Sequence, residues 1–286
     1  MLEPSDELQL RGNRYGMRHL RKRISSKRLL GSIAVGLALG LAGAAQAGDA
    51  AARRILGFSP DGHYFAFEQY GTLDWSETNS GWSEIAIIDT QTDQFVGGKP
   101  ITVTDEKGDA PLTLSAARSQ AAKQAAPLLA RHAIASRGQR AAFDKFTFPD
   151  DMTAYAEIAR VEQASRKWLS ATFDELGIST IQLDEIVIDS AADCSSGLPD
   201  AQADNAGKAR GFSLTLQGPD GKTFKTLHTD KTVPASRKCP TSYSLSEAYV
   251  FKPKDKPPAI AVLVQRFSQG YEGRDRRFIA VTGRVH

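Results

Sequence analysis

Phe58-Ser59-Pro60-Asp61-Gly62-His63-Tyr64-Phe65-Ala66-Phe67-Glu68, answered a short way on by Ile85-Ala86-Ile87-Ile88-Asp89, decides the fold. Ser59, Pro60 and Gly62 occupy the first, second and fourth places of a type I turn, the places those residues favour, and β-formers flank the turn on both sides. Phe65 and Phe67 fall on one strand face, as do Ile85 and Ile87, the period-2 pattern that buries one side of a sheet. Working outward, residues 54–97 read as a meander of four strands, 54–58, 63–70, 83–89 and 94–97, with Thr90-Gln91-Thr92-Asp93 as a polar turn. The polar loop 71–82 carries Asp74, Trp75, Glu77, Asn79 and Trp82; its tryptophans either line a binding rim or fold back over the sheet edge.

Beyond the meander, residues 100–104 suggest another strand. An Ala-rich helix spans about 112–137, with Leu128, Leu129 and Ile134 on one side, Gly138 as its stop and Pro127 expected to kink or divide it. Its Arg118, Lys123, Arg131 and Arg137 form either a solvated surface or a partner face. Residues 141–173 give mixed signals: Tyr155, Ile158 and Val161 have helical spacing, whereas 167–173 also reads as a strand. The signal then returns to strands at 180–189, 211–217, 222–229, 244–252, 259–267 and 277–285, with Gly218-Pro219-Asp220-Gly221 closing a second tight hairpin.

Charge and cysteines set the compartment. The net charge of +3 misleads, because eight of the 36 basic residues but only three of the 33 acids precede residue 48. Beyond that point 28 basic residues face 30 acidic ones, which gives no electrostatic footprint for nucleic acid. The basic segment ending at Arg28, the apolar run 29–44 and Ala45-Gln46-Ala47 read as an export signal over residues 1–47, cleaved after Ala47. Met17 is a better start for such a signal than Met1. The alternative is an uncleaved anchor, since residues 29–47 are just long enough to cross a hydrocarbon core of about 30 Å. Cys194 and Cys239, two cysteines in an exported chain, are expected to form a disulfide, whose loop closure stabilises the fold by roughly 4 kcal/mol.

No nucleophile elbow, phosphate loop or metalloprotease motif is present, and no cofactor is expected. Gly57-Phe58-Ser59-Pro60-Asp61 lacks the last glycine of the elbow and precedes a strand rather than a helix. His228 and Asp230 stand two apart on an extended strand and so share a face, a start for a metal site or a carboxylate-oriented base that needs further ligands such as His63, Asp61 or Glu272. The turn 269–276 gathers Tyr271, Glu272, Arg274, Asp275 and Arg276, an arginine-and-aromatic group suited to a small anionic ligand or an envelope protein.

Two resemblances extend these readings. The Phe58–Gly62 turn, its aromatic strand and Glu84-Ile85-Ala86-Ile87-Ile88-Asp89 resemble one blade of the Tol-type and WD-type β-propellers. The unit does not recur at the propeller period, so a complete propeller is not expected. Leu227-His228-Thr229-Asp230, Pro234-Ala235-Ser236-Arg237-Lys238-Cys239-Pro240 and Gly270-Tyr271-Glu272-Gly273-Arg274-Asp275-Arg276-Arg277-Phe278-Ile279-Ala280-Val281-Thr282-Gly283, with the Phe58 hairpin, resemble a family of predicted secreted bacterial proteins of unknown function. That resemblance implies export and supplies no substrate, cofactor or catalytic residue. The expectation is a mainly β (α+β) protein, an antiparallel meander or sandwich-like core with one long helix, in which 48–286 forms a single secreted domain in the periplasm. Its function is a non-catalytic binding or envelope-interaction module, with two alternatives: a metal-assisted or acid/base hydrolase centred on His228 and Asp230, and a membrane-anchored accessory subunit. No membrane span is expected once the signal is cleaved.

Overall fold

The Ser59–Gly62 turn forms as its residues dictate. Gly62 N–H donates to Ser59 O at 2.8 Å with Gly62 at φ +67°, and the Ser59 hydroxyl bonds Asp61 Oδ1 at 2.6 Å and accepts Tyr64 N–H at 2.9 Å. In this computed structural model, which describes residues 49–73, 80–105, 112–143, 167–173, 176–194, 208–270 and 274–285, the turn joins β1 (Ala52–Phe58) to β2 (Tyr64–Thr72). β3 (Gly81–Asp89) pairs antiparallel with β2, and β4 (Gln94–Phe95) and β5 (Ile101–Val103) both pair with β3, completing the first sheet. The polar turn predicted at Thr90–Asp93 is present, with Asp89 Oδ1 accepting Gln91 N–H at 2.8 Å.

One helix, α1 (Leu114–Arg131), covers the outer face of this sheet. Thr113 caps it by accepting Ala116 N–H at 3.2 Å, and Ala117, Ala121 and Ala125, one turn apart, form the stripe that lets the helix lie close to the strands. Arg118 is engaged within the fold. It grips the buried Glu68 carboxylate with Nε and Nη2 at 2.8 and 2.9 Å and lies over the Tyr70 ring. Pro127 does not divide the helix, and the helix ends at Arg131, well short of Gly138. Ala133, at φ +48°, takes the left-handed place usually given to glycine; its N–H donates to Ala130 O and the Ile134 N–H to Leu129 O, a Schellman termination.

The mixed stretch after the helix contributes strands at both ends: β6 (Gln139–Phe143) and β7 (Trp168–Phe173). The helical spacing of Tyr155, Ile158 and Val161 falls outside the described residues, as do the export signal and residues 29–47. β7 joins β8 (Ile178–Asp189), β9 (Lys208–Gln217) and β10 (Thr223–Thr229) in one antiparallel sheet. The Gly218–Gly221 turn closes β9 onto β10, with Gly221 N–H on Gly218 O at 3.0 Å. β6 joins β11 (Pro240–Phe251), β12 (Ala259–Gln269) and β13 (Arg274–Arg284) in another.

These sheets stack in layers. The sheet of β6 and β11–β13 is central: Ala259, Ala261 and Leu263 of β12 face Phe58, Phe65 and Phe67 of the first sheet, whereas Ile260, Val262 and Val264 face Ile181, Leu183 and Leu214 of the third. Described strands form three open antiparallel sheets with one helix, a β-dominated sandwich in which none closes into a barrel or a propeller. Cys194 and Cys239 form a disulfide with Cα atoms 5.5 Å apart, beside Ala209 and Val233.

Residues outside the central sheet bond several of its outward-facing backbone groups on β13 and β11. Along β13, Asp49 and Ala51 pair with the Arg276 backbone, and the Gln69 amide exchanges bonds with Phe278, accepting its N–H at 2.8 Å and donating to its carbonyl at 3.2 Å. Farther along, Asp93 Oδ1 accepts Thr282 N–H at 2.8 Å. On β11, past the end of β6, Glu185 accepts Tyr243 N–H and Lys167 donates to the Tyr243 carbonyl, both at 2.6 Å.

Candidate functional site

His228 and Asp230 come from the end of β10, and the structure brings their side chains into contact. His228 Nε2 lies 2.8 Å from Asp230 Oδ1, while Asp230 Oδ2 accepts Arg237 Nη1 at 2.7 Å and Phe212 N–H at 2.9 Å. The other ring nitrogen lies 3.7 Å from Asp93 Oδ2, so the imidazole sits between two carboxylates that belong to different sheets. The ring also packs on Phe212, with centroids 4.9 Å apart. Burial by itself would lower the His228 pKa, but its bonds to Asp230 and Asp93 outweigh burial and push it up to about 9. Asp230 is drawn below the usual carboxylate range: its burial is outweighed by His228, Arg237 and the Phe212 N–H.

Asp93 also borders a cleft of about 450 Å³ where the first sheet's turns meet the ends of β10 and β13. Asp61 and His63, named from the sequence as further ligands, line this cleft with Lys225, Lys256 and Arg284. They do not converge on His228. His63 Nε2 pairs with Asp89 Oδ2 at 2.9 Å, and Lys256 reaches Asp61 at 3.4 Å. Burial raises the Asp61 pKa, yet bonds from Ser59, His63 N–H and Lys256 bring it down to about 2. Among the described residues no three His, Cys, Asp or Glu side chains gather in an arrangement that would hold a metal ion.

The turn before β13 is arranged differently from the sequence reading. Tyr271 and Glu272 lie outside the described residues. Arg274 opens β13 opposite Gln269, and Asp275 accepts Asp49 N–H at 3.0 Å. Arg276 is not a loop residue: at 2% exposure it is buried in the core, donating to Ala51 O at 2.8 Å, and burial lowers its pKa to about 9. Next to it, Arg277 stacks on Trp82 at 4.2 Å and pairs with Asp49; Trp82 belongs to β3 rather than to the loop, and it is buried in the core between the first and central sheets. Trp75 lies outside the described residues.

A second cleft, of about 340 Å³, is bordered by Arg53, Arg54, Arg137, Arg140, Glu247 and Tyr249, of which sequence reasoning singles out only Arg137. Glu247 is 2% exposed and accepts Arg53 Nε at 2.6 Å and the Tyr249 hydroxyl at 2.9 Å. The signal available was the doublet Arg53-Arg54 and the closely spaced Arg137 and Arg140, two short basic clusters that only the fold brings together.

No helix among the described residues is long and apolar enough to cross a membrane. Comparison with curated proteins gave no match, and neither did comparison with solved structures. Residues 66–284, from the second strand to the end of the last, match the model of the predicted secreted protein family DUF2259, and the chain therefore belongs to that family.

Proposed function

We propose that this protein is exported through its N-terminal signal and works in the periplasm as a non-catalytic binding module, with the 450 Å³ cleft as its recognition site. The observation that carries this reading is the cleft's mixed charge. Lys225, Lys256 and Arg284 line, together with Asp61 and Asp93, a depression open to solvent, at the meeting point of elements from all three sheets. Such a surface suits a ligand with both charge signs and many hydroxyls, as in a soluble cell-wall fragment of sugar and short peptide. A hydrolase centred on His228 has less support, because a base or metal ligand must offer a neutral ring nitrogen and His228 holds its proton up to about pH 9.

The test is thermal unfolding of the purified protein with soluble peptidoglycan fragments, because a ligand selective for the folded state raises its midpoint. The midpoint should rise with fragment concentration, and Lys256→Ala, at the exposed rim, should weaken binding by about tenfold, the loss of roughly one charged contact. Equal midpoints with and without fragments would end this reading. Fractionation with N-terminal sequencing should find a periplasmic chain beginning at Gly48.

A further inference from the structure

We propose that the open half of the outer face of the β7–β10 sheet is a platform for an extended, uncharged glycan strand. Leu169, Ile181, Leu214 and Leu216 point from this sheet toward the central one and are buried there, so the alternate positions face outward. Register aligns four of them in one row across the whole sheet: Trp168 opposite Gln182, Gln182 opposite Thr215, and Thr215 opposite Thr226. Farther along β8 and β9, Cys194 and Val233 cover Ile188 and Ala209, which closes that end of the face. The row itself is open, with Trp168 at 53% exposure. Lys225 and Leu227, which line the 450 Å³ cleft, turn the other way, toward β13.

The chemistry of the row selects the ligand. Solvent-facing strand positions are the ordinary place for lysine and glutamate. Yet the described strand positions around this row carry hydroxyls and amides, with Asp184 as their only charge, in a chain that is 24% charged. Hydroxyls and amides both donate and accept, as sugar hydroxyls do, and an indole offers a flat apolar surface for the C–H side of a sugar ring. Gln182 Nε2 donates to Asp184 Oδ1 at 2.9 Å, and Ser213 Oγ lies 3.0 Å from Thr229 Oγ1, so these groups are held in place before a ligand arrives. Charge complementarity argues against the other occupants. A polyanion would meet a carboxylate and no cation on this face of the described strands, and a cationic peptide would meet that carboxylate alone. A protein partner would find a single aromatic side chain where an interface core is needed. The row spans three strand spacings of about 4.8 Å, roughly 14 Å in all, room for about two or three sugar rings laid across the strands.

The experiment is calorimetric titration of the purified protein with a soluble hexamer of β-1,4-linked N-acetylglucosamine. The parent is compared with Trp168→Ala, Trp168→Phe and Thr226→Lys, and with Phe95→Ala on β4, which removes a similarly exposed ring, at 42% exposure, from a different sheet. Trp168 and Thr226 are exposed, so the variants should keep the parent's unfolding midpoint. Parent and Phe95→Ala should bind the hexamer with the same affinity, and Trp168→Ala should bind about tenfold more weakly. Thr226→Lys, which lays a long side chain across the track, should weaken binding as well, and Trp168→Phe, which keeps a smaller ring, should fall between parent and Trp168→Ala. The proposal is overturned if the parent shows no saturable binding, or if Trp168→Ala binds like Phe95→Ala. Loss of hexamer binding in Lys256→Ala with Trp168→Ala unaffected would place the sugar in the other cleft and overturn it too. The hexamer has no charge for that cleft to read, so its failure and the failure of charged fragments there are separate results.

Discussion

His228 shows how a charge becomes part of the fold. The imidazole titrates near 6.5 in an unfolded chain and near 9 here, because Asp230 and Asp93 hold its proton. A pKa raised on folding means that the stabilisation is complete below about pH 6.5 and fades as pH rises through about 9. Over that window the protein should lose up to about 3 kcal/mol of stability, read as a falling urea midpoint, and His228→Gln should flatten the decline. The period-2 spacing made the His228–Asp230 contact legible in the sequence. Asp93 was legible only as a turn residue, because its second contact comes from a strand far along the chain. Arg276 was misread for the opposite reason: in a charged string such as Arg274-Asp275-Arg276-Arg277, alternate side chains face solvent and core, and a sequence alone assigns all of them to solvent.

At the scale of elements, the hairpins were legible and the helix end was not. Ser59-Pro60-Asp61-Gly62 and Gly218-Pro219-Asp220-Gly221 carry their turn chemistry locally, so each formed as read. The helix was read through to Gly138 because glycine is the usual stop, whereas Ala133 adopts the left-handed conformation at a cost of about 1 kcal/mol or more. Ala133→Gly should therefore raise stability by up to about 1 kcal/mol, seen as a higher denaturation midpoint with an unchanged slope. The polar side chains along β13 were illegible, since no local pattern announces that Gln69 will stand in for a neighbouring strand. Gln69→Ala leaves a buried N–H and carbonyl of Phe278 without these partners and should cost about 1–3 kcal/mol, with faster hydrogen exchange at the Phe278 amide.

The whole molecule depends on β12. Its run Ala259-Ile260-Ala261-Val262-Leu263-Val264 is apolar at every position, the mark of a strand buried on both faces. The run was legible as a strand, but the order of the layers was not, because small alanines facing Phe58, Phe65 and Phe67 have meaning only once the first sheet is stacked there. Ile260→Ala opens a void toward the third sheet and Leu263→Ala one toward the first, each costing about 2–5 kcal/mol. Both should lower one shared unfolding transition. A variant that melted one layer while the other persisted would show that the stack is not a single cooperative body. The rim of the central sheet governs what happens between molecules. A strand from a second copy approaching β13 meets backbone groups of Arg276, Phe278 and Thr282 already taken by Asp49, Ala51, Gln69 and Asp93, so crowded chains find an interrupted template there for zipping into ribbons, and freeing those groups is the step from which fibrous clumping would begin.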